Sequence, residues 1–151
     1  MVEASIVPVE AILRSKGRDV YSVPPDALVY DAVKLMSDRN IGAVLVMEEG
    51  WLLGIVSERD YARKVLLKGK SSRVTLVKEI MTHPVIFVSP QYTVDECMRI
   101  ITANRIRHLP VLDDDGVAGV ISIGDLVNWI ISSQQETIFQ LEGYITGRYP
   151  G

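Results

Sequence analysis

The chain contains one internal repeat that spans most of its length. Residues 20–66 align without a gap on residues 85–131, so that residue i of the first copy matches residue i+65 of the second. Apolar positions coincide, and each copy ends in the same Gly-x-x-Ser-x-x-Asp pattern, which begins at Gly54 and at Gly119. Self-similarity at a fixed spacing predicts two copies of one supersecondary unit. Because polar positions match as well as apolar ones, the shared pattern is where function is to be sought.

Hydrophobic content, net charge and cysteine count limit the kinds of protein and partner that fit this sequence. The 151 residues are 48% hydrophobic, which suffices for one compact body built from both copies. The net charge is −3 with acids and bases interspersed, so no broad basic surface and no nucleic-acid partner are predicted. One cysteine excludes an internal disulfide, and without a signal segment or a long apolar run we expect a cytoplasmic protein with no membrane partner.

Each copy is predicted to fold as strand, helix, strand, strand, helix, a mixed α/β (α+β) unit. Residues 21–25 and 86–90 are short extended runs that end at a proline, which cannot donate to a strand ladder. Apolar residues then recur at i, i+3, i+4 and i+7 from Val29 and from Val94, which is typical of an amphipathic helix. A hairpin and a second amphipathic helix follow in both copies.

The repeat divides the chain into five segments. These are an N-terminal lead-in helix at residues 1–19, the first repeat at 20–67, a linker with a second lead-in at 68–84, the second repeat at 85–132 and a C-terminal tail at 133–151. Residues 9–13 resemble residues 77–81, so a short helix is predicted to enter each copy. The tail keeps Ile138, Leu141 and Ile145 at helical spacing, which leaves a docked helix and a frayed end both open.

The paired Ser-x-x-Asp residues, Ser57 with Asp60 and Ser122 with Asp125, have two interpretations. Each pair can form a capping box, in which the serine oxygen accepts from the third helical amide and the carboxylate accepts from the serine amide. Capping alone explains both residue types. The same geometry also leaves helix amides, a hydroxyl and a carboxylate at one place, which suits a phosphorylated ribose.

Both copies resemble the CBS domain, the module named after cystathionine β-synthase. The resemblance rests on the opening strand that ends near proline, the hairpin and the Gly-x-x-Ser-x-x-Asp pattern, and it covers residues 7–132. Residues 57–61, 68–72 and 104–111 further resemble small stand-alone CBS-pair proteins. The resemblance implies two tandem βαββα CBS repeats with pseudo-twofold symmetry, which form two clefts for adenine nucleotides. AMP is the leading candidate, with ATP, ADP and NAD as others; regulation by energy sensing and a homodimer are also implied.

Position by position, the resemblance implies a principal site in the second copy. Asp125 is expected to accept from the ribose hydroxyls, and Ser122 is expected to face phosphate or ribose. Arg107 and His108 are expected to reach the phosphates. The residues expected around the base are Val85, Ile86, Ile106 and Pro110.

The first copy is expected to form a poorer site. Ser57 and Asp60 match the polar pair, but Gly42 and Ala43 stand where the second copy has its two basic residues. Arg59 is expected to point toward the other copy, and Lys16 and Arg18 can supply basic groups to this first cleft. The residues expected around the base are Val20, Tyr21 and Ile41.

Other chemistry finds little support in the sequence. No nucleophile with a base, paired carboxylates or metal cluster appears, so the chain is predicted not to be an enzyme, with no catalytic residue, metal or required cofactor. Cys97 lies on the apolar face of a predicted helix and is expected to be buried and inert. Two functions stay open: a nucleotide sensor that signals its ligand state to an unknown partner protein, and a structural adaptor whose Ser-x-x-Asp boxes are only helix caps.

Overall fold

Helices and strands follow the order that the repeat predicts. The structure, a computed structural model, describes residues 6–133, and the predicted helix in the C-terminal tail lies outside them. The elements in chain order are α1 (Val9–Lys16), β1 (Ser22–Val23), α2 (Val29–Arg39), β2 (Ala43–Glu48), β3 (Trp51–Ser57), α3 (Glu58–Tyr61) continued by a π-helical turn (Ala62–Leu66), α4 (Val77–Ile80), α5 (Val94–Asn104), β4 (His108–Asp113), β5 (Gly116–Ser122) and α6 (residues 123–133).

The first repeat forms a three-stranded sheet in the order β1-β2-β3. Strand β1 is parallel to β2, with Val23 opposite Val46, and β2 is antiparallel to β3. The hairpin turns at Glu49 and Gly50, which both have positive φ, 51° and 84°. Two-residue hairpin turns of this kind match the right-handed twist of the strands, which explains the glycine at the tip.

The second repeat keeps the same pattern with a shorter opening strand. Strands β4 and β5 form the hairpin, and the opening segment is reduced to a single parallel bridge between Val88 and Val111. These two residues match Val23 and Val46 of the first repeat. The predicted strand–helix–strand–strand–helix order is therefore confirmed in both copies, although the first strand of the second copy is minimal.

The two long helices are amphipathic as predicted. Helix α2 buries Val29, Ala32 and Met36, and α5 buries the matching Val94, Cys97 and Ile101. Each ends at a residue in the left-handed region, Asn40 or Arg105, whose backbone amide donates to carbonyls of the last turn. Helix α5 also begins with a capping box between Thr93 and Glu96.

Each lead-in helix packs on the copy that it does not directly precede. The chain forms two compact units, which we call the first-repeat unit (Asp19–Phe87 and Leu112–Gly119) and the second-repeat unit (the segment up to Arg18, Val88–Val111 and the segment from Val120). Helix α4 therefore belongs with the first repeat and helix α1 with the second. The sequence predicted the helices but assigned each one to the copy that follows it.

The backbone contacts of the two lead-in helices are equivalent. In the second-repeat unit, Val9 N donates to Tyr92 O at 2.8 Å; in the first-repeat unit, Val77 N donates to Ala27 O at 2.8 Å. The acceptors Tyr92 and Ala27 are matching positions of the repeat. Because both copies offer an equivalent backbone acceptor, sequence adjacency alone could not show which copy each lead-in helix packs on.

The glycine of the shared pattern has a packing role in the first-repeat unit. The chain after α4 passes close to β3, where Ile55 and Thr82 form an antiparallel bridge. A Cβ atom added at Gly54 would lie 2.6 Å from Met81 Sδ, which is closer than real contacts allow. Gly54 is therefore explained by this close approach and needs no ligand.

Candidate functional site

Both Ser-x-x-Asp pairs form the predicted capping box. Asp60 N donates to Ser57 Oγ at 3.2 Å, and Ser57 N donates to Asp60 Oδ2 at 3.0 Å. In the second copy, Asp125 N donates to Ser122 Oγ at 3.1 Å and Ser122 N donates to Asp125 Oδ2 at 2.8 Å. Each box joins the last strand of its repeat to the closing helix. The predicted capping boxes are therefore confirmed. The two carboxylates differ in the further hydrogen bonds that they accept.

The Asp60 carboxylate is fully engaged within the first-repeat unit. Oδ2 accepts from Ser57 N and Ser57 Oγ, and Oδ1 accepts from Thr82 Oγ1 at 3.1 Å and pairs with Lys64 Nζ at 3.0 Å. Lys64 Nζ also donates to Ile80 O at 2.9 Å. Asp60 is only 8% exposed. Four donors use the lone pairs of both oxygens, so this box joins β3, α3 and the segment after α4.

The Asp125 carboxylate is engaged on one oxygen. Ser122 N and Lys16 Nζ both reach Oδ2, the lysine at 2.6 Å, and within residues 6–133 no donor is directed at Oδ1. Lys16 Nζ also donates to Val120 O at 2.9 Å. The side chain of Asp125 is 22% exposed, twice the 11% of Asp60. The second box therefore keeps an accessible acceptor that the first box lacks.

Lys16 corrects one expectation from the sequence. It was assigned with Arg18 to the first cleft, but the structure places its ammonium on Asp125 of the second box. Arg18 pairs instead with Glu10 of α1, and this guanidinium, with help from Arg14, lowers the pKa of Glu10. The reason is that α1 packs on the second repeat, which the local sequence did not reveal.

Four of the remaining second-copy residues, Ile106, Arg107, His108 and Pro110, lie in β4 or directly before it. Arg107 is exposed, and its carbonyl accepts from Ile123 N at 2.8 Å, which fixes its backbone at the start of α6. Ile106 and His108 are half-buried, and Pro110 is buried in β4. Val85 and Ile86 belong to the first-repeat unit, so their predicted place beside a base at the second box stays a prediction.

The predicted first-copy residues all lie in the first-repeat unit. Tyr21 and Ile41 are half-buried and pack against its core, and the Arg39 guanidinium lies 5.1 Å from the Tyr21 ring centroid. Val20 is half-buried, and Arg59 is exposed on α3. Arg39 therefore covers one face of a ring that was expected to contact a base.

Sequence reasoning missed the two side chains that complete the first box. Lys64 stands one helical turn after Asp60, so its spacing could have indicated an ion pair. Thr82 is 22 residues from Asp60, and no local pattern connects them. Both side chains contact the Asp60 carboxylate and hold it in place.

The sequence predicts no metal site and a buried, inert Cys97, and the structure describes the residues concerned within 6–133. Within residues 6–133, no three His, Cys, Asp or Glu side chains come together as a metal site would require. Cys97 is buried as predicted, and burial raises the pKa of its thiol to about 12, so it stays protonated at neutral pH. None of the helices in this part of the chain has the length and apolar character that a bilayer crossing requires.

Known proteins match both the sequence and the fold. The family model of the CBS domain matches residues 9–67 and 77–132. The mitochondrial CBS domain-containing protein CBSX3 of Arabidopsis thaliana is 41% identical over 147 residues, which are 91% of this chain and 71% of that protein. A protein with CBS domains from Burkholderia ambifaria is 50% identical, with a TM-score of 0.82 over 85% of this chain and 96% of that chain.

A similar structure is a complex with two small organic molecules. The CBS domain pair of protein MJ0100, in complex with 5′-methylthioadenosine and S-adenosyl-L-methionine, is 26% identical to this chain. Its TM-score is 0.75 over 85% of this chain and 98% of that chain. Both of its ligands contain an adenosine group.

Proposed function

The chain belongs to the CBS-domain family, and from that membership we propose that it is a regulatory module that binds an adenine nucleotide, with AMP as the leading candidate, and signals its ligand state to a partner protein. Family membership supports the fold on which this proposal rests, and the Ser-x-x-Asp boxes are observed in the chain itself. The adenosine ligands of the similar MJ0100 pair support the ligand class. The proposal involves binding and release only, and it gives no residue a catalytic role.

The observation that carries the proposal is the half-engaged carboxylate of the second box. Asp125 receives its two donors on Oδ2, and its side chain is partly exposed. A ribose presents two neighbouring hydroxyl donors, and an ionised carboxylate is a strong acceptor for them. A nucleotide can therefore add its hydroxyls at Oδ1 without breaking the capping box. At Asp60 the same hydroxyls would have to displace Thr82 or Lys64.

The phosphate end of the ligand is supported by the basic residues at the start of β4. Arg107 is exposed, and its backbone is tied to α6 next to the second box. His108 is the next residue and begins β4. A guanidinium binds phosphate oxygens through two parallel N–H donors, which makes Arg107 suitable for this role.

A thermal-shift experiment tests the proposal. AMP at about 100 times its dissociation constant is expected to stabilise the native protein by about 2.7 kcal/mol. Each kcal/mol raises the Tm of a chain of this size by about 2 to 4 °C, so the transition should move by roughly 5 to 11 °C. GMP at the same concentration is the control for the adenine ring. If AMP, ADP, ATP and NAD at millimolar concentration leave the Tm unchanged, the sensor proposal is wrong.

The contacts of the first box favour a structural role for the first-repeat unit. With four donors on Asp60, this box acts as a structural joint between α3 and the segment after α4. If neither box took a ligand, the whole chain would be a structural adaptor. The thermal-shift result separates the two functions, because an adaptor gains no stability from nucleotides.

We also propose that the chain forms a symmetric homodimer. Leu66 and Leu67 are 60% and 77% exposed, because the wide turn at Ala62–Leu66 directs them away from the core while Val65 stays buried. Val127 and Ile131 on α6 are exposed as well. Large apolar side chains exposed at neighbouring positions favour burial against a second copy.

Light scattering tests the dimer. The wild-type protein is expected to show about twice the 16.8 kDa chain mass at micromolar concentration. Leu67→Asp should shift this mass toward one chain, because a charge in an apolar interface loses its solvation. Val74→Asp is the matched control, since Val74 is also 77% exposed but lies in the linker. A wild-type mass near one chain at all concentrations would contradict the dimer.

A further inference from the structure

We infer that Lys16 makes the second box selective for adenosine ligands that carry phosphate over neutral adenosine ligands. The inference rests on the proposed function, because it concerns the ligand of the same box. It assigns Lys16 a role that the Ser-x-x-Asp pattern does not contain.

The position of Lys16 beside the carboxylate is set by two bonds within the second-repeat unit. Its ammonium lies 2.6 Å from Asp125 Oδ2 and 2.9 Å from Val120 O. An ammonium has three N–H donors, so these acceptors leave one donor for a ligand atom. The side chain is 38% exposed, which keeps this donor accessible.

Lys16 enters the box from α1 and replaces a cation that the closing helix of the second copy lacks. In the first copy, Lys64 pairs with Asp60 from the same helical stretch. Its matching position in the second copy is Trp129. Among residues 6–133, Lys16 is the one cation that forms an ion pair with Asp125. Lys16 is the last residue of α1, and Gly17 after it has a φ of 102° that lets the chain turn there.

The charge of Asp125 decides which ligands the box can accept. A ribose that donates its hydroxyls to Oδ1 places its 5′ carbon within one sugar ring of the carboxylate. A 5′-phosphate at that distance is repelled by a bare carboxylate and attracted by an adjacent ammonium. Neutral adenosine experiences neither force. Lys16 therefore contributes to phosphate binding twice, as the counter-ion of Asp125 and as a direct donor.

Calorimetric titration of AMP and adenosine tests the inference. Lys16→Met is expected to weaken AMP binding by about 10-fold, because one partly exposed charged hydrogen bond to the phosphate is lost, and adenosine binding by less than about 2-fold. Lys16→Arg keeps the charge and should retain most of the AMP preference. Lys34→Met is the matched control, because Lys34 also pairs at 2.6 Å, with Asp38 on the exposed face of α2. It should change neither affinity.

The outcomes separate this inference from the proposed function. A selective loss of AMP affinity in Lys16→Met, recovered in Lys16→Arg, supports the role of Lys16. Equal losses for AMP and adenosine, or no loss for either, overturn that role and leave the nucleotide-binding proposal intact. No binding of either ligand to the wild-type protein overturns the proposed function, and the role of Lys16 falls with it.

Discussion

Replacing Asp125 with alanine is expected to weaken AMP binding by about 10- to 150-fold. Hydrogen bonds from ribose hydroxyls to a charged carboxylate are worth roughly 1.5 to 3 kcal/mol, and this free energy sets the change in affinity. The variant also loses its helix cap, which costs about 1 kcal/mol of folding stability. Calorimetric titration measures the affinity, and denaturant unfolding of the unliganded protein measures the stability separately.

The matching Asp60→Ala variant should lose more folding stability and less AMP affinity than Asp125→Ala. Four donors lose their acceptor at a residue that is 8% exposed, so we expect a stability loss of about 2 to 4 kcal/mol. AMP affinity should change by less than about 3-fold, since the lone pairs of Asp60 are already used. Asp38→Ala, which removes an exposed carboxylate from α2, is the control for both measurements. If Asp60→Ala lost more AMP affinity than Asp125→Ala, the principal site would lie in the first copy, and its assignment to the second copy would be wrong.

Replacing Leu13 with alanine is expected to destabilise the protein by about 2 to 5 kcal/mol. Leu13 is fully buried at the end of α1, and removing a buried leucine leaves a cavity in addition to the lost burial. The Tm should fall by about 2 to 4 °C for each kcal/mol. A helix that only preceded the first repeat as a loose extension would tolerate the change at almost no cost.

Arg14→Ala is the control for the Leu13 variant. Arg14 is the next residue of the same helix, its side chain is 76% exposed, and it pairs only with Glu10 one turn away. Such surface pairs contribute at most about 0.5 kcal/mol. If both variants lost equally little stability, the packing of α1 on the second repeat would be refuted.

Local patterns were sufficient to predict most of the fold. The spacing of Val29, Ala32 and Met36 predicts a helix because its apolar face repeats with each turn, and Val94 to Ile101 repeat it. The capping boxes are local because their residues are three apart, and each hairpin pairs two strands that are consecutive in the sequence. The wide turn at Ala62–Leu66 has no comparable signal, because its sequence continues an ordinary amphipathic pattern.

The candidate site was predictable only in part, because its decisive contacts are distant in sequence. Ser122 and Asp125 could be paired from their spacing, but Lys16 lies 109 residues from Asp125. Thr82 and Lys64 saturate Asp60, so the structural difference between the two boxes does not follow from the shared pattern. The sequence favoured the second copy because of Arg107 and His108; the structure adds an independent reason, the one-sided engagement of Asp125.

The exchange of lead-in helices has a consequence for synthesis on the ribosome. Helix α1 is made before both repeats, yet the carbonyl that its Lys16 contacts belongs to Val120, which is 104 residues later. At about 5 to 20 residues per second, the apolar face of α1 stays without its native partner for several seconds or more. The first repeat meets a shorter delay for most of its contacts, since the larger part of its unit, Asp19–Phe87, is one continuous segment. Most of the first-repeat unit can therefore become compact before α1, which is made earlier, meets its native partners.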